Sequence, residues 1–149
     1  MSEAQKAALE AVAIDLWDAY INRVRHPCPK ALIVFELFHV VKTDSRVIDE
    51  VRRAETRRAA GPMRQVVKGS RYWLLMNREN LRPDQADRLD ELLKLNANLN
   101  AVYALKDQLK MIYHYRRHAQ AKAALDQWCA MAGRVDNPWM TQFIKTLRH

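Results

Sequence analysis

The segment LDELLKLNANLNAVYALKDQLKMI, residues 89–112, sets Leu89, Leu92, Leu95, Leu99, Val102, Leu105, Leu109 and Ile112 at intervals of three or four. That spacing keeps apolar side chains on one face of an α-helix. It predicts a long helix, or two helices broken near Asn96-Ala97-Asn98, ending around Tyr115. Just upstream, Pro83 suits a first helical position, and Asp84 and Asp87 suit the positive end of the helix dipole. Downstream, residues 119–132 predict a further helix with Ala121, Ala124, Leu125, Trp128 and Cys129 inward, closed by Gly133. Asn137 before Pro138 is a good N-cap for a last helix carrying Trp139, Met140, Phe143, Ile144 and Leu147. The fold class expected is mainly α.

The N-terminal third reads differently. Residues 3–10 have helix-forming composition. Ala11-Val12-Ala13-Ile14-Asp15 is a short apolar run that ends on an acid, and it fits either a parallel strand or a continuation of the helix. Leu16, Trp17, Tyr20, Ile21 and Val24 predict an amphipathic helix over 16–26, stopped by His26-Pro27-Cys28-Pro29. Residues 31–36 are rich in β-branched and aromatic side chains and read as a strand. Strand, helix, strand at this spacing is a small βαβ unit. A helix over 44–60, ended by Gly61-Pro62, and a helical turn over 70–76 complete the reading.

Composition bounds the function. The chain has 149 residues, 49% hydrophobic and 28% charged, which is the balance of a folded domain. Three glycines and five prolines disfavour a turn-rich sandwich or barrel. No apolar run approaches the roughly 18–20 residues of a membrane helix. The start lacks a secretory h-region, and Cys28 and Cys129 are too few for a disulfide framework or a zinc site, so a reducing cytoplasm is expected. The 25 Lys+Arg and 17 Asp+Glu give a net charge of +8. Much of it lies in Arg52, Arg53, Arg57, Arg58, Arg64, Lys68 and Arg71, a window whose one acid is Glu55. Such a cluster fits either a solvated helix face or a surface for a polyanion such as a DNA backbone.

Few residues carry chemistry. Asp15 falls where the first strand should end, and Glu36 and His39 follow the second. Ligands of parallel α/β sheets bind outside the carboxyl ends of strands, so two carboxylates and a His there could hold a divalent metal. The competing reading is ordinary polar residues at strand exits. Met76, Met111, Met131 and Met140 fit apolar helix faces as core, and the four Trp residues fit core or interface better than base stacking.

Longer runs add a resemblance. Val12-Ala13-Ile14-Asp15-Leu16-Trp17, Phe35-Glu36-Leu37-Phe38-His39-Val40-Val41-Lys42, Asp49-Glu50-Val51-Arg52-Arg53 and Lys68-Gly69-Ser70-Arg71-Tyr72, with Asn80-Leu81, Leu92-Leu93-Lys94-Leu95-Asn96 and Tyr103-Ala104-Leu105-Lys106, resemble the DDE transposases of bacterial insertion sequences, of the ISL type. The resemblance runs across almost the whole chain. It implies an RNase H-like catalytic domain with an α-helical insertion. Three acids of that domain bind two Mg²⁺ ions for cleavage and strand transfer of double-stranded DNA at transposon ends.

Carried over residue by residue, Asp15 matches the second Asp of the triad and would be a metal ligand. Glu36 and His39 match an Asp/Cys-x-x-His signature, with Glu departing from the expected residue. Residues 1–41 would be a partial RNase H-like segment, with strand 11–15, helix 16–26 and strand 31–36. Residues 42–149 would be the helical insertion region, with Arg52 to Arg71 against the DNA backbone. The first Asp and the last Glu have no counterpart here, so the expectation is a transposase fragment that is catalytically inactive alone. A non-enzymatic helical module for DNA binding or self-association, and a decayed remnant, are the alternatives. The edges of a two-strand remnant would favour a homo-oligomer.

Overall fold

The computed structural model describes residues 1–14 and 18–148. In chain order its elements are α1 (Glu3–Ala7), β1 (Ala11–Ile14), α2 (Asp18–Arg25), β2 (Leu32–Phe35), α3 (Leu37–Arg58), α4 (Gly61–Gly69), α5 (Arg71–Leu75), a 3-10 turn (Arg78–Asn80), α6 (Pro83–Leu95), α7 (Ala97–Ile112), α8 (His118–Ala132) and α9 (Pro138–Leu147). The architecture is mainly helical, with one small parallel sheet.

One open alternative resolves on strand pairing and the other on a local cap. Residues 11–14 are a strand, paired in parallel with β2 in the register Ala11↔Leu32, Val12↔Ile33, Ala13↔Val34 and Ile14↔Phe35. Side chains alternate along both strands. Val12, Ile14, Ile33 and Phe35 are half-buried, whereas Ala11, Ala13, Leu32 and Val34 face solvent. The periodic stretch breaks into two helices at Asn96. That residue's backbone leaves the helical region (φ −131°, ψ 102°), and its side chain accepts a hydrogen bond from the Leu99 N–H as the cap of α7.

Helix α3 begins at Leu37, directly after β2, several residues earlier than the apolar spacing alone predicts. Its 22 residues span about 33 Å at 1.5 Å each. It ends at Arg58, and Gly61 then takes φ +55°, a left-handed conformation that lets the chain turn into α4 with Pro62 in the first turn. α3 is the hub of the molecule, packed on α4, α5, α7 and α9. Val40, Val47, Ile48 and Val51 from α3 meet Leu99, Val102, Leu105 and Leu109 from α7 in the core. Trp128 of α8 closes it, 1% exposed, edge-on to Phe143 of α9 and donating its indole N–H to the Leu105 carbonyl at 2.9 Å.

Several side chains read on apolar faces point outward, Leu95 of α6 and Tyr20 of α2 among them. Trp139 is 54% exposed, because it sits in the first turn of α9 where Met140, not Trp139, faces the core. Met111 and Met131 are exposed, lining a groove between α7 and α8 that opens to solvent.

Candidate functional site

The parallel register sets the carboxyl ends of β1 and β2 side by side, and the Glu36 N–H donates to the Ile14 carbonyl at 3.4 Å. Glu36 then serves as the backbone cap of α3, with an exposed carboxylate. One turn on, His39 Nε2 lies 3.6 Å from Glu36 Oε2, with the Phe38 ring edge-on to the imidazole at 5.5 Å. Ala13, Ile14, Tyr20, Glu36 and His39 line one shallow, open depression there. The expected catalytic and metal residue Asp15 lies outside the described residues. The helical bundle holds this end of the sheet through Tyr113, the C-cap of α7, whose hydroxyl donates to the Phe35 carbonyl at 3.0 Å. Burial pushes that phenol up to about 12.

Among the described residues, no three His, Cys, Asp or Glu side chains gather closely enough to hold a metal. Glu36 and His39 supply two donors, fewer than a divalent oxygen-seeking cation takes from a protein cage. The described donors therefore do not form a metal site by themselves.

The basic stretch is largely an internal lattice. Asp49 receives Arg52 Nε at 2.8 Å, Arg53 Nε at 3.2 Å and Arg71 Nε at 3.3 Å. Arg52 is buried and also donates to the Lys68 carbonyl at 2.9 Å, beside the Ser70 hydroxyl that closes α4 on the Val67 carbonyl. The Asp49-to-Arg53 and Lys68-to-Tyr72 runs, far apart in sequence, thus interlock α3 with the α4–α5 corner. Arg58 pairs with Glu55 at 3.0 Å and Arg53 also with Glu50 at 3.3 Å. Arg57, Arg64 and Lys68 are exposed and pair with no carboxylate among the described residues.

Sequence reading missed the buried polar groups. Asp44 of α3 is 3% exposed, and its Oδ1 has no hydrogen-bond partner among the described residues. Burial raises its carboxyl to about 7, against the opposing pull of Lys106 and Lys110. Lys106 of α7 is buried too, its ammonium shared between the Leu74 and Met76 carbonyls at 3.0 and 2.8 Å and set 4.4 Å over the Tyr103 ring. Its pKa is lowered, chiefly by burial. Glu55 accepts from Asn96 and Asn98 side chains, each at 2.9 Å, and so clamps the end of α3 onto the α6–α7 junction. Burial raises its pKa, but the two Asn bonds and Arg58 outweigh that and leave it low. A signal existed: Asp44, Glu55 and Lys106 each fall three or four residues from buried apolar positions on their own helices.

A family model described as Transposase, that of the DDE transposases of the ISL3 type, matches residues 1–149. The transposase for insertion sequence element IS1001 of Bordetella parapertussis is 42% identical over 143 residues, covering 94% of this chain and 35% of the relative. The transposase for insertion sequence element IS1557 of Mycobacterium tuberculosis is 28% identical over 163 residues, covering 91% of this chain and 36% of the relative. The chain spans about a third of the length of the curated relatives it matches. No solved structure matches it.

Proposed function

The chain belongs to the DDE transposases of the ISL3 type, and we propose that it is the part of their catalytic domain bearing the second acid of the triad. Residues 1–41 form a remnant of an RNase H-like sheet, and residues 42–149 form the helical insertion, joined through α3. The observation that carries this reading is the parallel β1–β2 pair, whose carboxyl ends meet beside Glu36 and His39. Asp15 follows β1 directly in sequence and would give one ligand to Mg²⁺. The metal, when bound by the longer protein, supplies Lewis acidity for phosphodiester cleavage. Glu36 and His39 serve as accessory polar groups at the same edge.

With one triad acid, the chain does not cleave DNA alone. Incubation of the purified 149-residue chain with supercoiled plasmid and Mg²⁺ or Mn²⁺ should give no nicking above background. Robust nicking that disappears in Asp15→Ala overturns this.

Double-stranded DNA is the partner proposed. Arg57, Arg64 and Lys68 are the freest contacts to its backbone. Arg53, Arg58 and Arg71 are exposed at their tips while ion-paired, and Arg52 serves mainly to hold the α3–α4 contact. A second reading, a non-enzymatic module that self-associates through its sheet, is favoured by the exposed face of Ala11, Ala13, Leu32 and Val34. Light scattering separates the two: a concentration-dependent dimer broken by Val34→Lys supports self-association, and a monomer removes it.

A further inference from the structure

A second basic surface lies away from the Arg52–Arg71 stretch, and no residue of α3, α4 or α5 contributes to it. The end of α2, the start of β2, one face of α8 and the end of α9 enclose a cleft of about 510 Å³. Arg25, His118, Lys122, Asp126 and Arg148 line it, over an apolar floor that includes Ile33 and Leu125. Three cations face one acid. Asp126 is held by Lys122 at 2.8 Å and lies in the field of Arg148. The neighbouring Lys30, Arg116 and Arg117 are exposed as well.

We propose that this cleft binds the phosphodiester backbone of duplex DNA, as a contact surface additional to Arg57, Arg64 and Lys68. The inference rests on the DNA-partner reading above. The cations come from separate elements and stand in an open cleft on long side chains, an arrangement that meets a row of phosphates rather than enclosing one small anion. The comparison of charge favours it. Counting from Asp49, the 49–71 stretch has seven cations and three acids, and the acids Asp49, Glu50 and Glu55 are all spent on its arginines. The cleft keeps a larger share of its cations unneutralised. Its residues run from Arg25 to Arg148, so no local charge window reveals it.

The test is fluorescence anisotropy with a labelled 20-base-pair duplex of mixed sequence, titrated across salt. Arg25→Gln with Lys122→Gln and Arg148→Gln should reduce the slope of log K against log salt by about 2.7, at 0.9 per lost contact, and weaken binding at 0.1 M salt by about tenfold or more. The control is Arg88→Gln with Lys94→Gln and Arg134→Gln, which removes equal charge elsewhere. A cleft variant that loses no more than the control overturns the proposal. Wild-type chain that binds no duplex even at low salt overturns both this proposal and the DNA-partner reading. Acetylation footprinting of the unmutated chain gives a second readout. Duplex DNA should protect Lys122 and Lys30, and unchanged labelling of both overturns the proposal whatever the variants do.

Discussion

Asp44→Asn should stabilise this chain at pH 8 and do far less at pH 4. The wild-type carboxyl is buried between α3 and α7, and burial lifts it from 3.8 to about 7, with Lys106 and Lys110 pulling it down and Asp107 pushing it slightly up. In the unfolded chain the same group ionises near its ordinary value, about 3.9. The folded state therefore holds the proton more tightly. Stability from this group is fully present below the unfolded value and is lost as pH rises toward about 7. At about 1.4 kcal/mol per pH unit, the loss reaches at most about 4 kcal/mol. Asparagine keeps the shape and does not titrate, and the other carboxylates cancel in the difference between the two proteins. Urea unfolding followed by circular dichroism at pH 4, 6 and 8 measures it. With an m-value of about 2 kcal/mol/M, the gap between variant and wild-type midpoints should widen by up to about 2 M from pH 4 to pH 8. A gap that is the same at both ends of that range would refute the reasoning.

Other perturbations follow from the same packing. Glu55→Ala removes the acceptor of both Asn96 and Asn98 and should cost about 1–3 kcal/mol at pH 7 by urea unfolding. Because the folded pKa of Glu55 is lowered, the wild-type advantage holds above the unfolded value and fades as pH falls through the folded one. Trp128→Ala should cost about 3–5 kcal/mol by thermal melting, since it empties the α7–α8–α9 contact and removes the indole bond that the Leu105 carbonyl accepts in addition to its helical one. Gly61→Ala should cost about 1 kcal/mol through backbone strain alone, as its φ is +55° and a Cβ there meets nothing within 4 Å. Gly69→Ala, at a site equally open but helical and without a positive φ, is the contrasting case and should stabilise by about 0.4–1 kcal/mol.

The helices that carry a full apolar stripe were legible. Leu89 to Ile112 specifies α6 and α7, and Asn137-Pro138 specifies the start of α9, because spacing and caps are local properties. The choice between strand and helix for Ala11–Ile14 was not local: pairing with Leu32–Phe35 decides it, and nothing within four residues does. The start of α3 was hidden for a related reason. Leu37 and Phe38 are exposed, so the apolar period does not begin until Val40. Charge was the most misleading signal. A run of arginines looks like a surface, yet Arg52 is buried because Asp49, one turn earlier, and the Lys68 carbonyl receive it. The cations of the α8–α9 cleft converge only after folding. Asp44, Glu55 and Lys106 are buried on apolar stripes, where a carboxylate or ammonium is costly unless partnered, and that position was their readable mark.

The proposed site is the edge at the carboxyl ends of β1 and β2, where Glu36 and His39 line one depression and Asp15 follows β1 directly in sequence. Titration of the ¹⁵N-labelled 149-residue chain with Mn²⁺, followed by NMR line broadening, tests it directly. The account predicts weak binding, with broadening confined to residues 13–15, 20 and 36–39 and removed by Asp15→Asn. Broadening centred elsewhere in the chain, or unchanged in Asp15→Asn, would contradict it.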